Sequence, residues 1–434
     1  MKEGYTATIG LEIHAHLKTK TKMFSRSLND PFHAGPNANV SPIDMAHPGT
    51  LPTINKKAVE HMVRIGLALD ADIANFTEFD RKNYFYPDIP KGYQISQLKY
   101  PIVSGGKLAG FDLTRIHLEE DTATSKHQSD HSLIDYNRAG TPLMELVTEP
   151  VLHSAEDVMK FARELQLLLR YLGAGDANIE KGEMRIEVNI SVSKTDKLGL
   201  RSEVKNIGSI SSAGRATEYE INRQIEVLES GEIPTQQTRG WDEAKGITVF
   251  QRNKEDSKDY RYFPEPDLPK LYLHEIFDLE KMRSELPELA NQKRERYVAD
   301  FGLKSEDIEA YIGNLPMALF FEATMKGLDK SNAKAASNYI TSDIVGMLKS
   351  DDLKDSGIDV WNTLDAKMFA KLITMVDGGD LNSRGAKDIL LEMIQNGGDP
   401  EIIANDKGLI QENDVEALKA VVQKIIDNNP GQAA

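Results

Sequence analysis

The chain has 434 residues, of which 40% are hydrophobic and 28% are charged, and its formal net charge is -16. This composition excludes a largely disordered protein, and the length predicts two or three domains at ~150 residues each. The sequence contains no cysteine, which excludes disulfides, thiol catalysis and thiolate zinc sites. The acidic charge argues against non-specific coating of nucleic acid, so any RNA contact must be local.

The first residues form a polar and apolar alternation without the apolar core of a signal peptide, and no run of ~18 apolar residues follows. We therefore expect a cytoplasmic protein that is not bound to a membrane.

Two predicted strands and two predicted helices occupy the first part of the chain. Residues 5–17 and 184–192 alternate between apolar and polar side chains, which predicts half-buried strands with Glu12 and His14 on one polar face. Residues 154–172 carry a helical apolar repeat that Ser154 can cap, and residues 216–228 predict a charged surface helix. After about residue 290 the pattern becomes consecutively helical. We expect an α+β fold with antiparallel sheet around a polar cleft.

Carboxylates and one imidazole form a candidate site for a hard cation. Glu12 and His14 share a strand face, and two strand-like stretches, residues 117–121 and 143–146, contribute further carboxylates that include Glu120 and Glu145. Such donors suit Mg²⁺ beside a bound nucleotide. The alternative is a set of solvated charges on an open sheet face. Strict alternation would place Glu120 and Glu145 among apolar neighbours, where a carboxylate needs a partner.

Two aromatic segments and two polar strands are candidates for binding phosphate or substrate. Lys82 lies in residues 80–88 and Arg261 in residues 259–267, where cations alternate with tyrosines before prolines; ordinary loop packing is the alternative. Arg185, Lys205 and Asn206 belong to a further polar group with residues 187, 189 and 203, for which cross-strand ion pairs are the alternative. No phosphate loop or dinucleotide fingerprint occurs, so ATP would require another architecture. We interpret His16, His33 and His47 as structural.

Several long motifs resemble the B-subunit family of the aspartyl/glutamyl-tRNA amidotransferases, in the same order and over nearly the whole chain. They are residues 9–14 (IGLEIH), 80–88 (DRKNYFYPD), 92–97 (GYQISQ), 115–121 (RIHLEED), 135–140 (DYNRAG), 185–189 (RIEVN), 203–206 (EVKN) and 259–269 (DYRYFPEPDLP). Motifs in a fixed order are far more specific than any one of them.

This resemblance implies an antiparallel-sheet cradle domain similar to glutamine synthetase (residues 1–290), a helical domain (291–365) and a helical tail domain (366–434). It implies a ligase that uses ATP to phosphorylate the side-chain carboxylate of Glu-tRNA(Gln) or Asp-tRNA(Asn), which ammonia from a glutaminase A subunit then amidates. The expected partners are the A subunit, a small C subunit and misacylated tRNA, with no DNA.

The resemblance also assigns roles to residues. Glu12, His14, Glu120 and Glu145 match the catalytic Mg²⁺ site, and Lys91 matches the ammonia passage. For ATP we expect contacts from a set of basic and amide side chains: Lys82, Arg185, Lys205, Asn206 and Arg261.

Two departures from the family pattern are visible. Where many members have four cysteines, this chain has Ser25, Ser27, Ser41 and Asp44, so we expect no zinc and a loop held by packing. The chain stops at residues 429–434, where the family usually continues with a basic helical segment, and this predicts a shortened tail with a weaker grip on tRNA.

Two other functions remain open. A tRNA-binding scaffold without chemistry of its own would bind tRNA but turn over no ATP. A metal-dependent hydrolase built on Glu12 and His14 would need neither ATP nor tRNA, but the clusters lack the histidine-rich spacing of hydrolytic zinc sites.

Overall fold

The computed structural model describes residues 2–253, 260–351, 353–354 and 356–411, with residues 419, 423, 424 and 426–428. It divides into two compact units, Met1–Pro287 and Glu288–Ala434, called here the sheet unit and the helical unit. Asp259, which begins one predicted motif, and the chain end at 429–434 lie outside the described residues. In the part of the chain that is described, no helix is long and apolar enough to cross a membrane.

The strands in the described part of the chain all lie in the sheet unit. They are β1 Thr6–His16, β2 Asp72–Ile73, β3 Phe76–Thr77, β4 Asp80–Asn83, β5 Tyr93–Ser96, β6 Val103–Ser104, β7 Lys107–Leu108, β8 Phe111–Glu120, β9 Thr124–His127, β10 Ser132–Asp135, β11 Pro142–Thr148, β12 Met184–Ser193, β13 Ser202–Ile207, β14 Gln237–Asp242, β15 Ile247–Asn253, β16 Phe263–Pro264 and β17 Leu271–Tyr272.

The helices divide between the two units. The sheet unit has α1 Lys56–Ala68, α2 Ala155–Tyr171, α3 Ile210–Glu229, α4 Leu273–Ile276 and α5 Leu279–Ser284. The helical unit has α6 Ala290–Phe301, α7 Ser305–Gly313, α8 Leu315–Met325, α9 Ala333–Asn338, α10 Val345–Met347, α11 Val360–Thr363, α12 Ala366–Asp377, α13 Ser383–Asn396 and α14 Pro400–Asp406, with a 3₁₀ turn at Lys330–Asn332 and a π-helical turn at Tyr339–Ile344.

Ten of the described strands form one sheet, called here the central sheet. Its order is β15-β14-β13-β12-β1-β11-β8-β6-β2, with β7 paired to β8. The pairing is antiparallel except between β13 and β14, which are parallel. A smaller sheet, β16-β4-β5, carries Lys82. The prediction of an α+β fold, with a large sheet followed by helices, is confirmed.

The two faces of β1 differ as the alternation predicts. The apolar side chains of Ala7, Ile9, Leu11, Ile13 and Ala15 are at most 1% exposed. Helix α1 packs against β2, β6 and β8, while α3 packs against β12, β13 and β15 and also against α2. Burial of apolar surface therefore fixes the orientation of the sheet and leaves the polar side chains of β1 on the opposite face.

Helices α2 and α3 start where serine side chains satisfy their first amides. Ser154 Oγ accepts from Asp157 N at 3.1 Å, as expected, while the Asp157 carboxylate accepts from His153 N at 3.0 Å. Helix α3 begins at Ile210, earlier than the predicted residue 216, because Ser209 caps it. It is also not a simple surface helix, since Ala213 and Ala216 are fully buried.

The helical unit has an aromatic core of its own. Tyr297, Tyr311 and Phe321 are fully buried. The rings of Tyr311 and Phe321 stack with centroids 4.8 Å apart, and that of Tyr297 lies 5.7 Å from Tyr311. Aromatic contacts of this kind contribute beyond their buried area, so this unit does not depend on the central sheet for its core.

Candidate functional site

The register of the central sheet aligns polar side chains in rows across neighbouring strands. On β1, His14 lies opposite Glu145 of β11 and Arg185 of β12, and Glu12 lies opposite Glu187 of β12. Residues directly opposite each other point to the same face. Residues far apart in the sequence are therefore gathered on the polar face.

One set of candidate ligands joins β1, β8 and β11. His14 Nε2 lies 3.2 Å from Glu145 Oε2 and 3.8 Å from Glu119 Oε1. One potential ligand atom from each of the three residues falls within 4.8 Å of the others. Glu119 and Glu145 are 2% and 8% exposed, so both carboxylates are largely removed from water.

A second candidate set shares His14 and adds Glu12 and Glu187, whose ligand atoms also lie within 4.8 Å of one another. Lys205 Nζ donates to Glu187 Oε2 at 2.6 Å. The predicted residues Glu12, His14 and Glu145 thus come together on one face, with Lys205 at the edge of the group.

The electrostatics of this face are those of crowded carboxylates. Burial raises the pKa of Glu12, and the charges of Glu145 and Glu187 raise it further. Burial opposes ionisation of Glu145, but the charge and hydrogen bond of His117, together with His14, hold the pKa of Glu145 well below its usual range. Burial lowers the pKa of His14, yet the hydrogen bond and charge of Glu145 outweigh this and raise it. A divalent cation would relieve the same repulsion.

The donor set fits Mg²⁺. Carboxylate oxygens from two strands and one imidazole nitrogen from a third are ligands for a hard or borderline ion, and none is a thiolate. His14 Nε2 faces the carboxylates, while the buried Nδ1 has no hydrogen-bond partner among the described residues. The residues that would hold the ion are His14, Glu119 and Glu145, with Glu12 and Glu187 adjacent.

Glu120 lies apart from both ligand sets in the described part of the chain. Lys91 Nζ donates to its two carboxylate oxygens at 2.5 Å, and Ile95 N donates to Oε1 at 2.9 Å. The neighbouring Glu119 is the β8 carboxylate that approaches His14. The predicted ligand role of Glu120 therefore lacks the geometry that Glu119 has. The partner of Glu120 is Lys91, the residue that the sequence resemblance matches to the ammonia passage.

Lys82 of β4 lies close to the aromatic rings of Tyr84 and Tyr260. Its Nζ lies 5.1 Å from the Tyr260 ring centroid. Burial opposes its charge, but the charges of Glu119, Tyr262 and Glu145 outweigh this and raise the pKa of Lys82, so Lys82 is a cation. Arg261 is exposed, and its φ of 44° lies in the left-handed region that non-glycine residues seldom adopt. Its backbone carbonyl accepts from Asn83 Nδ2 at 2.8 Å.

A cavity of about 740 Å³ opens beside Glu187 at the start of α3. Its lining includes the predicted binding residues Arg185 and Asn206, and it adds Arg215 and Trp241. Arg185 is held by two hydrogen bonds to the buried Asp121, at 3.0 and 3.1 Å. Two arginines and the first turn of α3 offer donors to phosphate groups, and the carboxylates of Glu187 and Glu243 line the same cavity.

The loop that carries Ser25, Ser27 and Ser41 is organised by the Asp44 carboxylate. Asp44 Oδ2 accepts from Ser27 Oγ at 2.6 Å and from the Ser41 hydroxyl and amide at 2.9 and 2.8 Å. Ser25 Oγ accepts from Ser27 N at 3.3 Å. The fully buried Lys22 lies with its Nζ 3.5 Å from Asp44. Hydrogen bonds and one buried ion pair, rather than packing alone, hold this loop.

The sequence interpretation passed over Glu119 and His117 as site residues, although a signal for both was present. Alternation along β8 puts them on one face, opposite Leu118, which is fully buried. Glu120 is two residues from Leu118 on the same strand, so it points to the Leu118 face and away from the face of His117 and Glu119. Applied strictly, the same alternation rule that raised a caution about Glu120 would have selected Glu119.

Comparison with known proteins covers nearly the whole chain. A family model described as the GatB/GatE catalytic domain matches residues 7–277, and another described as the GatB domain matches residues 319–434. The chain is similar to proteins named as the B subunit of aspartyl/glutamyl-tRNA(Asn/Gln) amidotransferase. Identity is 41% with the one from Trichodesmium erythraeum, across 100% of this chain and 91% of that protein, and 42% with the one from Caldicellulosiruptor saccharolyticus, across 98% and 90%.

The relative from Listeria innocua carries the same name and is 41% identical across 98% of this chain and 90% of its own length. The matches include all three strands that carry the first ligand set. The chain belongs to the B-subunit family of the aspartyl/glutamyl-tRNA amidotransferases.

Proposed function

We propose that the polar face of the central sheet is where this B subunit of a tRNA-dependent amidotransferase activates a carboxylate with ATP and Mg²⁺. The carboxylate is the side chain of a glutamate or aspartate esterified to tRNA, the substrate class in the names of the relatives. The observation that carries the proposal is the meeting of ligand atoms of His14, Glu119 and Glu145 within 4.8 Å. Beside them lies a cavity lined by two arginines and two glutamates, one of which is Glu187.

The cavity at the start of α3 is the proposed nucleotide site. At about 740 Å³ it falls within the ~300–1,000 Å³ of ordinary ligand pockets. Arg185 and Arg215 offer guanidinium donors, although each is also paired with a carboxylate, Asp121 and Glu243 respectively. Ser211 and Ser212 bring the first turn of α3 to the cavity wall. Glu187 belongs both to this lining and to the second ligand set. A nucleotide bound here would therefore extend its phosphates toward the residues that would hold the metal ion.

The chemistry requires a leaving group and neutralised charge. A carboxylate cannot lose oxide to ammonia, whereas transfer of a phosphoryl group to one carboxylate oxygen makes phosphate the leaving group. When bound, Mg²⁺ neutralises charge on the transferring phosphoryl group. His14, Glu119 and Glu145 would hold the ion, and Lys82, drawn toward Glu119 and Glu145, would bind phosphoryl oxygens from the facing sheet.

Ammonia would arrive along the side of the sheet where Lys91 and Glu120 meet. These two residues, with Asp121 and Gly140, line a small cavity of about 20 Å³ behind the ligand set. The sequence resemblance supports a glutaminase A subunit as the source of ammonia and a small C subunit as a further partner. The division of the helical unit into a helical domain and a tRNA-contacting tail domain at residue 366 remains part of this proposal.

The test is ATP turnover by the purified complex on misacylated tRNA. We expect ATP hydrolysis and amide formation with Glu-tRNA(Gln) or Asp-tRNA(Asn), and loss of both in Glu145→Gln with the complex still assembled. Glu180→Gln, an exposed glutamate in the same unit, is the matched control. Binding of tRNA without ATP turnover would favour a tRNA-binding scaffold instead. Unchanged activity in Glu145→Gln would contradict the proposed ion site.

A further inference from the structure

His117 is a buried histidine that stands behind the candidate cation ligands. It lies on β8 directly opposite Glu145 of β11 and is 4% exposed. Its Nε2 is 3.3 Å from Glu145 Oε2 and 3.8 Å from Glu119 Oε2. Among the described residues it belongs to neither ligand set, so its contacts are with the ligands rather than with the ion position.

We infer that His117 is a positioning residue, whose Nε2–H fixes the carboxylates of Glu145 and Glu119 for the divalent cation. This inference rests on the proposed function, because it needs that ion site to exist. A glutamate side chain has three rotatable bonds, and a cation ligand that must be ordered on binding loses affinity. A buried donor that already holds the carboxylate before the ion binds removes part of that cost in advance.

Glu119 uses a different carboxylate oxygen for each histidine, whereas Glu145 uses one oxygen for both. Glu119 Oε2 accepts from Ser96 Oγ at 2.9 Å and lies on the His117 side, while Glu119 Oε1 is the oxygen that faces His14. Glu145 Oε2 lies between two imidazoles, 3.2 Å from His14 Nε2 and 3.3 Å from His117 Nε2. His117 Nδ1 has no hydrogen-bond partner among the described residues, which leaves Nε2 as the nitrogen that acts on the ligands.

The experiment measures Mn²⁺ binding to a series of full-length variants. Electron paramagnetic resonance quantifies the Mn²⁺ that remains free in solution. Glutamine places its amide nitrogen near the position of histidine Nε2, whereas asparagine reaches only the position of Nδ1. We expect His117→Ala and His117→Asn to weaken Mn²⁺ binding by about 10–100-fold, and His117→Gln to restore most of it. The KM for Mg²⁺ in the complete reaction should rise in the same order, with a smaller change in kcat.

The control is His61→Ala, which removes another buried histidine of the sheet unit, one whose Nε2 contacts the Lys18 carbonyl; we expect its Mn²⁺ affinity to match the parent. Parent-like binding in both His117→Ala and His117→Asn would overturn the inference. So would a His117→Gln variant that binds no better than His117→Asn, a comparison that stands even if the alanine variant fails to fold. Absence of Mn²⁺ binding by the parent, or full binding in Glu145→Gln, would instead remove the ion site itself.

Discussion

The ammonium group of Lys91 donates to both carboxylate oxygens of Glu120, each at 2.5 Å. The Ile95 amide also donates to Glu120, at 2.9 Å, so this carboxylate is committed to β5 and the loop before it. Its neighbour Glu119 points to the other face and joins His14 and Glu145. Two adjacent glutamates on one strand therefore have separate partners, and their roles can be tested separately.

The first prediction compares these two glutamates. Glu119→Gln removes a charged ligand, so we expect it to weaken Mn²⁺ binding at least ~10-fold. Glu120→Gln keeps the polar face intact, so its Mn²⁺ affinity should stay within ~2-fold of the parent. The measurement is the dissociation constant of each full-length variant. The reverse ranking would return the ligand role to Glu120, which the sequence resemblance favours.

The second prediction concerns nucleotide binding in the cavity beside α3. Arg215 lines that cavity, is about half exposed and is paired with Glu243. Removing Arg215 therefore does not leave a buried charge without a partner. We expect Arg215→Ala to weaken binding of a non-hydrolysable ATP analogue about 10-fold, the loss of one hydrogen bond to a charged group. Isothermal titration gives the constant. Arg170→Ala is the control, since Arg170 bonds the Asp176 carbonyl away from the cavity; equal losses in both variants would contradict the assignment.

The third prediction concerns the loop around Asp44. Asp44→Ala leaves the fully buried Lys22 without its carboxylate and the Ser27 and Ser41 hydroxyls without their acceptor. Removing one partner of a buried ion pair costs about 3–5 kcal/mol, so the free energy of unfolding should fall by that order. Asp44→Asn keeps an acceptor oxygen and should lose less.

Urea denaturation of the full-length chain provides the measurement for this loop. Asp130→Ala serves as the control, because the Asp130 side chain is 81% exposed. If Asp44→Ala unfolds at the same urea concentration as Asp130→Ala, the hydrogen-bond cluster does not hold the loop.

The fourth prediction is a pH dependence in the helical unit. Hydrogen bonds from Arg296, with Lys293, lower the pKa of Glu288 from its usual 4.5 to about 2. The folded state therefore prefers ionised Glu288 more than the unfolded state does. That stabilisation is present above pH ~4.5 and is lost as the pH falls toward ~2. Since the Glu288 side chain is still 30% exposed, solvent screening keeps the effect modest.

A single tryptophan can report this effect. The chain has two tryptophans, and Trp241→Phe leaves only Trp361, whose ring lies 5.9 Å from Phe320 in the helical unit. In that background, Glu288→Gln should lower the melting temperature at pH 6, and the difference from the parent should shrink between pH 4.5 and pH 3. A difference that stays constant over this range would show that Glu288 ionisation is not linked to folding.

Much of the sheet followed from periodicity, because residue parity decides which face a side chain occupies. The alternation placed Glu12 and His14 on one face of β1 and the apolar side chains of β1 on the other. The alternation could not predict that β11 and β12 flank β1, because strand order depends on contacts between distant segments. Hence the sequence alone could not bring Glu145 and Glu187 to the same site.

The start of α3 shows a different limit. Residues 210–215 include serines and a glycine, which are weak helix formers, yet the structure is helical from Ile210. Capping by Ser209 and burial of Ala213 override that weak propensity. The cavity beside Arg215 depends on this extra turn, so a boundary error in the sequence interpretation also hid part of the candidate site.

The central position of β1 has a consequence for biosynthesis. The two strands that flank residues 6–16 come much later in the chain, at Pro142–Thr148 and Met184–Ser193. During translation β1 leaves the ribosome long before either neighbour is made, and pairing must wait for a large loop to close. Its apolar side, with Ile9 and Ile13, stays uncovered during that interval. We therefore expect nascent chains that stop before residue 193 to depend on chaperones and to aggregate without them.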